Sequence, residues 1–149
     1  MRLHTAVLGV AMAGLGLLGT AGQAQAVGWG TIVSSLGSGY GDFYNEGSSF
    51  ARTNAHYKDN RPGGAPVYVR TRYQFYYQNC SAMGCNPSYT PGTSRTTSRT
   101  TSASYVYAYT HNVLDSLSDR ARGQINVCQD EAFTYDPCSD TTAYPSFAY

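Results

Sequence analysis

The chain has 149 residues, a formal charge of +1 and 13% charged residues, against 42% hydrophobic and 13% aromatic ones. That length suits one domain with a single modest core. A near-neutral chain lacks the electrostatic footprint that nucleic acid or an acidic membrane surface requires, so neither is expected as a partner.

In chain order, Arg2 and His4 come first, then an apolar run from Ala6 to about Leu18, then Ala24-Gln25-Ala26. Charged start, short apolar core and small-x-small site are the order of a secretory signal. A membrane span needs roughly 20 apolar residues; this run is shorter and is broken by Gly9, Gly14 and Gly16. Residues 1–26 are therefore expected to be a signal peptide, and the product a secreted, extracellular protein. With Arg2 gone, nine Lys+Arg face nine Asp+Glu.

Residues 27–47 read as an extended N-terminal segment and its tether. Val27, Trp29, Ile32, Val33 and Leu36 are apolar, and Gly37-Ser-Gly-Tyr-Gly41 has the composition of a flexible linker. Such a segment either folds back as a strand of its own domain or is offered to a partner. In an extended conformation Trp29 and Ile32 point to opposite sides.

Residues 48–149 read as a small β domain. From Phe50 to Lys58, Arg52, Asn54 and His56 share one side with Phe50, while Ala51, Thr53, Ala55 and Tyr57 share the other. Asp59-Asn-Arg-Pro-Gly-Gly64 is a turn signal. Val67 to Tyr77 is the clearest strand, with Val67, Val69, Tyr73 and Phe75 on one face. The two runs are expected to pair as a hairpin. Asn86–Ser104, with Pro87, Pro91, Gly92 and the doubled Ser-Arg-Thr-Thr at 94–97 and 98–101, is expected to be an exposed, mobile loop. Strand character resumes over Tyr105–Thr110. Val113–Leu117 predicts one helical turn with Leu114 and Leu117 inward. A last strand covers Ala121–Gln129, and the tail after Cys138 looks loosely held. The fold class is all-β: a small antiparallel sheet or barrel-like domain, disulfide-stapled, preceded by the extended segment.

Four cysteines in an exported chain read as two disulfides. Neither C-x4-C nor C-x9-C matches a common zinc knuckle, so no metal is expected. Cys80–Cys85 and Cys128–Cys138 are the favoured pairs, because each flanks a turn-like segment. Catalysis finds no support: the mature chain has only His56 and His111, no G-x-S-x-G elbow and no paired glutamates, Glu46 and Glu131 both lying near loops. No cofactor motif occurs. Tyrosine is the one excess, at 14 residues. Tyrosines on a sheet face can stack on sugars or anchor an interface, or they can simply fill a small core.

Pro62-Gly-Gly-Ala-Pro-Val-Tyr-Val69, Cys80, Asp119-Arg-Ala-Arg-Gly123, Val127-Cys128 and Asp136-Pro-Cys-Ser139 resemble the small secreted adaptor, the B component, of actinobacterial umbrella toxin particles. The resemblance covers most of the mature chain. It implies a non-enzymatic connector between a secreted lectin-like protein with a trypsin-type fold and a large repeat-containing polymorphic toxin, acting in competition between bacteria. It also implies that Val27–Leu36 is donated to a cleft of the lectin-like partner, with Val27, Trp29, Ile32, Val33 and Leu36 as the contact residues. Two other readings suit the size and cysteine count. One is a secreted carbohydrate- or cell-wall-binding module using surface tyrosines. The other is a secreted protease inhibitor presenting Ser81-Ala-Met-Gly84.

Overall fold

A computed structural model describes residues 25–90 and 92–149, so the expected leader, except Gln25 and Ala26, lies outside the described residues. Among the described residues there are nine strands and no helix. They are β1 (Val27–Val33), β2 (Gly37–Glu46), β3 (Phe50–Asp59), β4 (Val67–Ser81), β5 (Gly84–Tyr89), β6 (Ser94–Thr96), β7 (Val106–Val113), β8 (Arg120–Gln129) and β9 (Ser146–Ala148). Two antiparallel sheets result. The first has the order β1-β2-β3-β7; the second runs β5-β4-β8-β9, with β6 also paired to β4. The arrangement is a sandwich of two sheets rather than one closed barrel.

Period-two patterning builds the core between the sheets. Trp29, Ile32, Ala55 and Tyr57 of the first sheet pack with Val67, Val69, Ile125 and Val127 of the second. Phe43 and Ala51 do the same with Tyr73, Phe75, Ala121 and Phe147. The buried Tyr73 hydroxyl donates to Thr53 Oγ1 at 3.1 Å and lies 2.8 Å from Thr110 Oγ1, so β4 is tied to β3 and β7 through the core. Burial pushes its phenol pKa up.

The N-terminal segment departs from expectation. Val27–Val33 is not held apart from the domain; it is an edge strand paired along β2. Trp29 and Ile32, at 6% and 1% exposure, lie in the core. A register shift between Gly28 and Gly30, with Gly30 at φ 73°, breaks the alternation and turns both side chains to the same side. The supposed tether is the start of β2, fully paired with β3. Its glycines make room for the indole. A Cβ on Gly39 would sit 3.4 Å from the Trp29 ring, and one on Gly41 only 2.9 Å from Trp29 Nε1 and 2.0 Å from the Asn54 carbonyl oxygen. Trp29 Nε1 donates to that same carbonyl at 3.1 Å. Missing side chains serve packing here rather than flexibility.

Other expectations are corrected for related reasons. The strands Phe50–Asp59 and Val67–Ser81 do not form a hairpin, because the Pro-Gly-Gly turn carries the chain from one sheet to the other. The described residues of Asn86–Ser104 are largely exposed, as expected, but they do not form an unpaired loop: they include most of β5 and all of β6 and are pinned by their own polar groups. Thr97 exchanges bonds with Val69, its Oγ1 accepting from Val69 N at 2.9 Å, and Val67 and Thr100 exchange backbone bonds at 2.8 and 2.9 Å. Tyr57 donates to Ser98 O at 2.6 Å, and Arg99 pairs with Asp130. Val113–Leu117 makes no helical turn: Val113 ends β7 and Leu117 is exposed, while Leu114 packs against the core as expected. The tail is held by β9, whose Phe147 enters the core.

Candidate functional site

The residues expected to contact a partner are scattered by the fold. Trp29 and Ile32 are in the core and Val27 is half-buried; only Val33, at 68% exposure, faces solvent freely, with Leu36 half-covered beside it. They make no common surface. The disulfides form as expected, Cys80–Cys85 and Cys128–Cys138. Cys80–Cys85 joins two strands and Cys128–Cys138 joins β8 to an isolated bridge position, with Cα–Cα distances of 3.9 and 4.0 Å. Among the described residues no three metal-ligating side chains converge.

What the fold does bring together is the outer face of the first sheet. In-register pairing of β2, β3 and β7 sets rows of outward residues across the strands: Tyr40, His56 and Tyr107; then Asp42, Asn54 and Tyr109; then Tyr44, Arg52 and His111. Small inward residues such as Ala55 and Ala108 let the sheet lie close on its core while the large rings point out. Tyr40 and His56 stack at 5.1 Å with an interplanar angle of 11°, and Tyr107 meets the other side of His56 at 5.1 Å. Tyr105 packs edge-on to Tyr40 at 5.1 Å, and His111 lies 5.0 Å from Phe50 and 6.2 Å from Tyr109.

Polar groups lock these rings. Arg52 lies 3.8 Å over the face of Tyr109, pairs with Glu46, and donates to Asn54 Oδ1 at 3.0 Å and to the Tyr107 hydroxyl at 3.4 Å. The Tyr107 hydroxyl donates in turn to Asn54 Oδ1 at 3.0 Å, and Lys58 covers Tyr105 at 5.2 Å. Two near-parallel rings only 5.1 Å apart cannot lie side by side in one plane; they overlap and stand up from the sheet. Ring edges and hydroxyls therefore face solvent, while several ring faces are already occupied by His56, Arg52 or Lys58. Tyr107 and Tyr109 remain about half exposed, at 52% and 50%. Beside them the face dips into an open groove lined by Phe50, Arg95, Thr96, His111 and Val113.

Two phenol–carboxylate pairs lie outside this face. Tyr68 donates to Asp136 Oδ2 at 2.6 Å; burial and then that bond push its pKa up to about 12, while the same bond holds the Asp136 carboxyl below its ordinary range. Tyr77, hydrogen-bonded to Asp115, is likewise pushed up to about 12, and Asp115 is lowered.

The tyrosine excess alone does not separate core from surface. Tyr57, Tyr68 and Tyr73 are buried; Tyr40, Tyr105, Tyr107 and Tyr109 are not. The usable signal was Tyr105-Val-Tyr-Ala-Tyr109, in which every second residue is large and aromatic and the residues between are smaller. Comparison with protein families, curated proteins and solved structures finds no match to this chain.

Proposed function

We propose that the protein is a secreted, non-enzymatic adaptor that docks a protein partner on the aromatic face of β2, β3 and β7. The observation that carries this reading is the edge-on, mutually covered packing of the rings. A sugar-stacking platform needs ring faces open to solvent, whereas here Arg52 and His56 occupy them. Ring edges, tyrosine hydroxyls and an arginine mostly covered by its neighbours are instead the composition of a protein-interface hot spot. Rings fixed in place by neighbours also lose little entropy on binding.

The partners are those that the resemblance implies, a lectin-like protein of trypsin-type fold and a large repeat-containing toxin. The adaptor meets them as a folded body, because donating β1 would strip Trp29 and Ile32 from the core. Two disulfides suit an oxidising compartment, in keeping with export. The inhibitor reading fits less well: Ser81–Gly84 is a tight hairpin end within a six-residue disulfide ring and has no room for an extended reactive loop.

Capture of these two partners by the tagged protein tests the proposal, with a Tyr107→Ala/Tyr109→Ala variant alongside. The variant should bind one partner roughly 30-fold more weakly and keep the melting temperature. Undiminished capture of both partners, or wild-type adsorption to cell-wall polysaccharide that the same substitutions abolish, would overturn it.

A further inference from the structure

Beyond the aromatic face, one element of the molecule is built for projection. β4 leaves β8 at Phe75 and continues to Ser81 paired only with β5. Its base is anchored: Tyr76 and Tyr89 meet at 5.4 Å, Arg122 lies 4.0 Å over Tyr89, and Ser118 Oγ donates to Tyr76 O at 2.8 Å. Past that base, every residue from Gln78 to Ser88 is exposed. Six paired positions from Tyr76 to Ser81 give the ribbon a reach of about 20 Å.

A two-stranded ribbon with no core is marginally stable in water. This one carries Cys80–Cys85 across its last rungs, and the Ser81 hydroxyl, 3.3 Å from both Met83 N and Gly84 O, braces the turn. The covalent link thus holds a shape that contributes nothing to the core. At the apex stands Met83, 98% exposed, the only methionine after residue 26. No charged residue occurs from Tyr73 to Ser94.

We propose that the β4–β5 ribbon is a docking finger that places Met83 in an apolar pocket of a protein partner, at a site separate from the aromatic face. The lack of any cation argues against a nucleic acid or an acidic membrane. A single apolar residue flanked by Gln78, Asn79, Asn86 and Ser88 is too little to enter a bilayer. An unbranched thioether side chain adapts to an irregular apolar pocket, and uncharged flanks match an uncharged rim. Pre-organisation by the disulfide lowers the ordering cost of insertion.

The test uses the secreted protein labelled with photo-methionine, which reports on position 83 alone once residues 1–26 are removed. Irradiation in culture supernatant should give a cross-link from residue 83 to apolar residues of one protein. Purified, that protein should bind the Met83→Asp variant roughly 30-fold more weakly than wild type, tolerate Met83→Leu within about threefold, and bind Tyr107→Ala/Tyr109→Ala independently of both. No cross-link to protein, a cross-link to polysaccharide, or full binding by Met83→Asp would each overturn the finger. Because the substitutions at Tyr107 and Tyr109 are read separately, failure of the face and failure of the finger are distinguishable.

Discussion

The two disulfides of this protein share a geometry and differ in everything around them. Each joins residues directly opposite on paired backbone, but Cys128 is fully buried whereas Cys80 and Cys85 are exposed at the end of a ribbon. The first closes the Asp130–Pro137 loop onto β8 and sits opposite Tyr68 in register. The second closes a turn that touches no core residue. One cross-link is part of the sandwich; the other shapes an element that stands away from it. The same chemistry therefore answers two different physical needs, core support and pre-organisation.

The comparison predicts unequal consequences. Replacing Cys128 and Cys138 together by Ser should cost about 3 kcal/mol or more, from loop entropy and from a hydroxyl placed in a buried site, and calorimetry should show a clearly lowered melting temperature. An intermediate effect belongs to the same loop. Because the folded pKa of Tyr68 is raised, its stabilisation is fully present below the unfolded phenol value of 10 and is lost as pH climbs towards about 12. Asp136, lowered in the folded state, gives the opposite limb: its share is present above the unfolded carboxylate value and disappears as pH falls through the folded one. Denaturation followed against pH should therefore show an alkaline decline that Tyr68→Phe flattens. The smallest effect on the melting temperature is expected for Cys80→Ser with Cys85→Ser. Without the link the ribbon frays in the native state as it does in the unfolded one, so the entropy gained largely cancels. Global stability should move by less than about 1 kcal/mol, while amide exchange from Gln78 to Ser88 rises sharply. Equal losses for the two pairs would break the distinction.

Much of the fold was legible because it is written in period two. Ala51, Thr53, Ala55 and Tyr57 against Arg52, Asn54 and His56 marked β3, and Val67, Val69, Tyr73 and Phe75 marked β4. Both cysteine pairs were legible from local spacing. Gly37–Gly41 was not, because a strand whose inner positions are glycines leaves no apolar pattern; its reason for existing, the Trp29 indole, comes from another strand. The Ser-Arg-Thr-Thr repeat hid β6 in the same way, since backbone pairing with Arg70–Arg72 holds it, and Thr97 and Thr100 bond Val69 and Val67 just beyond it, with no apolar contact to mark it. The hairpin expected between β3 and β4 failed because a turn signal says that the chain reverses, not which sheet it enters. For the site, alternation around Tyr107 and Tyr109 predicted a strand, but only packing shows which ring faces are already covered.

The position of β7 has a kinetic consequence. It completes the first sheet by pairing with β3, although the chain between Asp59 and Val106 belongs to the other sheet or to its edge. Pairings so distant in sequence are slow to form, since their loop-closure entropy is lost before any contact compensates for it. Tyr107, Tyr109 and His111 all arrive with that late strand, whereas Tyr40 and His56 belong to strands that pair locally. A partner that recognises the assembled rings thus distinguishes a finished molecule from a partly folded one, and refolding followed by partner capture should lag behind refolding followed by β-sheet signal.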